Sequence, residues 1–180
     1  MIKMSVEGIG IDPQNNPLVL LRDENSKTYV PIWIGPAEAV SIQMELDHRQ
    51  PPRPMTHDLI SGILRELGAE LVKVTVNDFD KSVYYATLHL QVTAGDVQEV
   101  DARPSDAIAL ALRAQCNIYV SEQVVDKTGI QIEESTGDLS NLPTRREEDE
   151  VQPDEVEIDK FVKLLEGVDL PEDDEEIRNN

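Results

Sequence analysis

Apolar and polar positions alternate through the first third of the chain. Met4, Val6, Ile9 and Ile11 predict a strand over 1–12, and Gly8 with Gly10 points to a bulge where the alternation shifts phase. Asp12-Pro13-Gln14-Asn15-Asn16-Pro17 is a turn, Leu18 to Arg22 a second strand, Asp23-Glu24-Asn25-Ser26 a hairpin connection and Lys27 to Ile34 a third strand. Three strands joined by short turns make an antiparallel meander.

The period then changes to that of a helix. Gly35-Pro36 opens it, with Ala37, Ala39, Val40, Ser41 and Met44 on its apolar side, and it fades at Asp47-His48. Arg49 to Pro54 holds too much proline to be helical and reads as an extended loop. Thr56 is the expected cap of a second helix, in which Leu59, Ile60, Ile63, Leu64 and Leu67 recur at helical spacing until Gly68. Leu71 to Val76 is a strand, Asn77 to Asp80 a turn, Val83 to Val92 a long strand and Val97 to Ala102 another. Pro104 ends that strand because it has no donor N–H, Ser105 is the expected cap, and six apolar residues after Asp106 predict a deeply buried helix. Ile118-Tyr119-Val120 is a short last strand.

These elements give an α+β fold: a mixed, largely antiparallel sheet packed with about three helices. Arg53-Pro54-Met55-Thr56-His57-Asp58 echoes Arg103-Pro104-Ser105-Asp106, each being Arg-Pro, a hydroxyl and a first-turn acid before an apolar helix. Two origins fit the echo. One is an internally duplicated strand–helix unit, the other convergent helix-start chemistry.

Charge divides the chain further. Of a net −20, residues 1–130 hold 18 acidic and 11 basic side chains, a balance of −7, and residues 131–180 hold 18 and 5, a balance of −13. The organisation expected is a domain over 1–130, an acidic flexible linker over 131–153, and over 154–180 a short amphipathic helix with a disordered acidic C-terminal tail. That tail is a candidate contact for a protein partner. No basic stripe of the kind that neutralises nucleic-acid phosphates is present. The single Cys116 excludes an internal disulfide and reads as a small buried hydrophobe. Neither a secretory signal nor a membrane-length apolar run is visible, so a cytoplasmic setting without membrane contact is the default.

Glycine-rich phosphate loops, Cys/His zinc spacings and Gly-x-Ser-x-Gly elbows are all missing, so the candidate chemistry rests on acids at helix starts. Asp101, Asp106, Asp58 and Glu38 supply oxygen ligands suited to Mg²⁺ or Mn²⁺, which would activate water on a phosphodiester. His57, with Asp101, Asp106 and Asp58, is a candidate for the catalytic proton transfers. Arg103 and Arg53 have the geometry to hold phosphate oxygens. Each residue has a plainer reading as a cap, a first-turn acid or half of a salt bridge. Trp33 is either a core anchor or an interface residue.

Three segments together, Pro31-Ile32-Trp33-Ile34-Gly35-Pro36-Ala37-Glu38-Ala39, Arg53 to Leu59 and Asp101 to Ala111, resemble the bifunctional nuclease family over about residues 1–130. Glu38, His57, Asp58, Asp101, Arg103 and Asp106 fall in the family's characteristic positions. The resemblance implies an α+β fold, hydrolysis of RNA and single-stranded DNA with little sequence preference, and a homo-oligomer. Many relatives carry a short helical UvrB/UvrC-type motif after this domain, and this chain shows none. Three functions therefore compete: a metal-dependent nuclease, a non-catalytic oligomeric regulator or adaptor, and a small-anion binder at the helix starts.

Overall fold

The structure is a computed structural model that describes residues 1–92 and 95–131. The linker and tail expected beyond Gln131 lie outside the described residues. Within them, eight strands form one sheet in the order β6-β5-β4-β7-β1-β2-β3-β8. β1 (Ile2–Ile11), β2 (Pro17–Asp23) and β3 (Thr28–Trp33) are the expected meander. Its register shifts between Val6 and Gly8, where the sequence pattern changes phase. β4 (Ala69–Asp80), β5 (Val83–Val92) and β6 (Val97–Ala102) form a second antiparallel run. β7 (Asn117–Val120) joins the two runs, parallel to β4 and antiparallel to β1. The two-residue β8 (Ile130–Gln131) ends the sheet.

Helices α1 (Pro36–Leu46), α2 (Thr56–Glu66), α3 (Pro104–Ala114) and α4 (Glu122–Thr128) complete the described fold. The core lies between one sheet face and the helices. Val19, Leu21, Val30, Ile32, Val74, Val76, Ala86 and Leu88 of the sheet share one buried cluster with Ile42 of α1 and Ile108, Leu110 and Ala111 of α3. As expected, α3 is buried along most of its length. Cys116 packs against this core, and burial pushes its thiol up to about 11.

A smaller cluster of Leu18, Leu20 and Tyr29 packs with Trp33 on the opposite face. Trp33 Nε1 donates to Asp12 Oδ2 at 3.1 Å, and Asp12 also accepts from the Gln14 and Asn16 backbone N–H groups. Trp33 is thus half-buried and pinned to the β1–β2 turn. Across the sheet, the Tyr84 hydroxyl of β5 donates to the Pro31 carbonyl of β3 at 2.8 Å, so the curled sheet brings these separated strands together.

Several sequence expectations are corrected. The residues Asn77–Asp80, expected as a turn, belong to β4, and the reversal is made by Lys81-Ser82, both at positive φ. Met55 rather than Thr56 caps α2, and Arg103 rather than Ser105 caps α3, so Ser105 is an inner, buried residue of the first turn. α4 was not anticipated. Ser121 caps it by accepting from Val124 N. The echo between the two Arg-Pro segments stops short of a repeated unit, because no strand precedes α2 as β6 precedes α3. Lastly, the apolar residues of α2 do not all face inward: Leu59, Ile63 and Leu67 are exposed, and His57 is the one fully buried residue of that helix.

Candidate functional site

The first turns of α1, α2 and α3 meet at one place. Pro36 and Pro104 each occupy an opening position of a helix, where a missing N–H costs nothing. Glu38, Asp58 and Asp106 are first-turn acids, attracted by the unsatisfied N–H groups and the positive ends of the helix dipoles. Three such ends converge here, with two arginines among them.

Arg103 and Asp106 form the outer part. Arg103 Nε donates to Asp106 Oδ2 at 2.7 Å and Nη2 donates to Asp106 Oδ1 at 3.1 Å, a two-pronged pair. Nη2 also lies 3.0 Å from Glu38 Oε1, so one guanidinium serves two carboxylates. Its side chain is 67% exposed, against 28% for Asp106 and 19% for Glu38. The hydrogen bond to Asp106 is the main cause that holds the Arg103 pKa above its ordinary value. Burial pushes the Asp106 carboxyl upward, but hydrogen bonds from Arg103 and His57 and the Arg103 charge outweigh it and hold it below the usual range.

The inner part is a chain of buried polar groups. His57 Nε2 lies 3.0 Å from Asp106 Oδ1, and His57 Nδ1 lies 2.8 Å from Ser41 Oγ. An ionised carboxylate can only accept, so Nε2 carries a proton and donates to Asp106. In the neutral ring Nδ1 then accepts from the Ser41 hydroxyl. Ser41 is 3% exposed and His57 7%. The order Ser–His–Asp is that of a nucleophilic triad, but this serine is sealed inside α1 and reaches no solvent. Here it orients a ring that links three helices.

Beside this chain, Arg113 Nε donates to Asp58 Oδ1 at 2.6 Å, Nη1 donates to the Ala109 carbonyl at 2.9 Å, and both terminal nitrogens approach the Ser41 carbonyl. Asp58 also accepts from Met55 N. Burial raises its pKa, while the hydrogen bonds from Arg113 and Met55 and the Arg113 charge lower it further, leaving it below the ordinary value.

Of the residues singled out in the sequence, Glu38, His57, Arg103 and Asp106 thus come together, and Asp58 adjoins them while committed to Arg113. Asp101 does not join them. It is in register with Thr87, whose strand neighbours Ala86 and Leu88 point to the core, as does Ala102. Successive strand residues alternate faces, so Asp101 projects from the sheet face opposite the helices. Arg53 lies exposed in the loop before α2, without a hydrogen bond or ion pair among the described residues. Sequence reasoning passed over Ser41 and Arg113. Their one available signal was polarity on an otherwise apolar helix face.

The expected ligand set of Asp101, Asp106, Asp58 and Glu38 is therefore not gathered at one point. Among the described residues no group of three or more His, Cys, Asp or Glu side chains is placed to hold a metal ion. Glu38 and Asp106 already share a cation, the guanidinium of Arg103.

An α+β domain with its charged groups collected where three helices begin is the class that the structure defines. A family model described as the bifunctional nuclease domain matches residues 19–133, and the chain belongs to that family. It is similar to an uncharacterized protein of Mycobacterium tuberculosis (strain ATCC 25618 / H37Rv), 37% identical over 169 residues, covering 93% of this chain and 95% of that protein. Bifunctional nuclease 1 of Oryza sativa subsp. japonica is 25% identical over 138 residues, covering 68% of this chain and 42% of the plant protein. Bifunctional nuclease 2 of Arabidopsis thaliana is 26% identical over 128 residues, covering 70% and 39%. No helix among the described residues is long and apolar enough to cross a membrane.

Proposed function

We propose that this chain is a nuclease that hydrolyses phosphodiester bonds in RNA and single-stranded DNA, with little sequence preference, in a cytoplasmic setting. Family membership supports the reading, and one observation in the structure carries it: the two-thirds exposed Arg103 guanidinium stands where the positive ends of three helices converge. Arg103 would take two phosphate oxygens, and the helix ends would favour the negative charge that builds up as the bond breaks. Asp106 and Glu38 flank the same point. Released from Arg103 by a bound phosphate, Asp106 faces the scissile bond as the proton acceptor for water. His57 acts through Asp106 as a positioning residue, since both of its ring nitrogens are engaged. Arg53 would add a more distant phosphate contact.

A divalent ion belongs to the reading only in reduced form. Glu38 and Asp106 are the pair that would hold Mg²⁺ or Mn²⁺, and both are now spent on Arg103. Two carboxylates can hold Mg²⁺ when water and substrate phosphates complete its shell, and while Arg103 occupies both of them no role above passes through the ion.

A second reading is a non-catalytic regulator or adaptor in which the junction is structural. The burial and full pairing of Ser41, His57 and Arg113 favour it. Degradation of labelled RNA and single-stranded DNA, with Mg²⁺, Mn²⁺ or chelator, separates the two. The nuclease reading expects Asp106→Asn, folded as the parent is, to lose most of the activity. Equal activity in the variant, or none in the parent under every condition, favours the adaptor.

A further inference from the structure

A cavity of about 360 Å³ lies between the second half of α2, the last turn of α3 and the start of β4. Its volume is at the lower end of the roughly 300–1,000 Å³ of small-ligand sites. Leu64, Leu71 and Leu110 give it an apolar floor, and the last two are buried. Arg65, Gly68 and Ala114 also line it and are exposed, so it opens to solvent.

The polar groups in its wall are donors with capacity to spare. Ser61 and Arg65 stand one turn apart on the side of α2 that faces the cavity. Neither side chain has a hydrogen bond or ion pair among the described residues. Arg113 lines the same space. Its Nε donates to Asp58 and its Nη1 to the Ala109 carbonyl, but Nη2 reaches only the Ser41 carbonyl, at 3.4 Å. The other N–H of Nη2 is left over for an acceptor in the cavity. Glu70 is the one acid in the lining, since Glu66 follows Arg65 on α2 without reaching it. Along β4, Glu70 alternates with Leu71, which joins the core, so the Glu70 carboxylate projects from the opposite sheet face. Asp58 balances Arg113, and the Arg65 charge stays unbalanced.

From these facts we infer that the cavity is a binding site for a small organic carboxylate with an apolar body of about four to eight carbons. The carboxylate takes the Arg65 guanidinium and the Ser61 hydroxyl at the mouth and the spare N–H of buried Arg113 behind them. The body lies on Leu64, Leu71 and Leu110, where leaving water supplies the affinity. The unbalanced Arg65 charge selects an anion over a neutral molecule of the same shape. Inorganic phosphate fits less well, because it leaves the apolar floor unused.

Sodium hexanoate is the probe, titrated to about 20 mM into the full chain at constant ionic strength with amide chemical shifts as the readout. The test is independent of nuclease activity. Saturation with a Kd of about 0.1–1 mM is expected. The largest shifts should fall at Ser61, Leu64, Arg65 and Gly68, and none at Glu38 or Arg103. Acetate, which lacks the body, and 1-hexanol, which lacks the charge, should each bind at least tenfold more weakly. Arg65→Gln, at an exposed position, should weaken hexanoate about tenfold, and Arg103→Gln should bind it as the parent does. No saturable shift, equal binding of acetate or 1-hexanol, shifts centred on Arg103, or unchanged affinity in folded Arg65→Gln would each overturn the proposal.

Discussion

His57 Nε2 stands 3.0 Å from Asp106 Oδ1, although the two residues are 49 positions apart and open different helices. Through Ser41 the same ring reaches α1. A single imidazole thus ties the starts of α2 and α3 to the middle of α1, and α2 has no other fully buried side chain to hold it. This link should matter more to stability than any one apolar contact of α2. His57→Ala removes both hydrogen bonds and leaves Ser41 buried without a partner, which costs about 2–4 kcal/mol. Urea denaturation should show the midpoint falling while the slope is unchanged.

The adjacent Arg113–Asp58 pair predicts a second loss. Arg113 is 8% exposed on its side chain, and its guanidinium also serves two carbonyls. Arg113→Met leaves Asp58 with the Met55 N–H bond but without its buried charge partner, for a cost of about 2–3 kcal/mol. Asp58→Asn keeps a hydrogen-bond acceptor and should cost less. Thermal melts of the two variants beside the parent measure the difference.

Acid stability follows from the same carboxylates. Asp58 and Asp106 have folded pKa values below their ordinary ones, so folding favours their ionised forms. Their contribution is fully present above the unfolded carboxylate value of about 3.9 and is lost as pH falls through the lower, folded values. Stability measured between pH 6 and pH 2 should therefore drop steeply below about pH 4. Arg113→Met should flatten that drop, because Asp58 then has no charge partner to lose.

Beside the smaller apolar cluster, Asp12 holds Trp33 and the β1–β2 turn with one buried carboxylate. Asp12→Ala should destabilise by about 1–3 kcal/mol. Trp33 is the single tryptophan, so its fluorescence reports the site directly. Its emission should shift to the red in the folded variant as the indole N–H turns from carboxylate to water.

Local chemistry explains which features were legible in the sequence. Pro36 and Pro104 announce helix starts because a fixed φ and a missing N–H suit few other places. The strands of the meander show in their alternation. The length of β4 does not, because Asn77-Asp78-Phe79-Asp80 has turn chemistry, and pairing with β5 overrides it. α4 is seven residues long with one buried residue, too short for a period to show. At the site, the first-turn acids were legible as acids. Their partners were not, since the 55-residue separation of Asp58 and Arg113 is closed only by tertiary packing. Asp101 was misplaced for a related reason. Its face is fixed by the register of β6 on β5, which the sequence of β6 alone does not contain.

The central claim is that phosphodiester chemistry occurs at the junction marked by Arg103 and not on the opposite sheet face marked by Asp101. The most direct measurement is kcat/KM on one labelled single-stranded RNA for the parent, Arg103→Ala and Asp101→Ala. All three should first be shown to melt within a few degrees of one another. Loss of a charge-assisted phosphate contact of about 1.5–3 kcal/mol lowers kcat/KM roughly ten- to a hundredfold in Arg103→Ala. Asp101→Ala should match the parent. Parent-level activity in Arg103→Ala, or a loss confined to Asp101→Ala, would contradict the account.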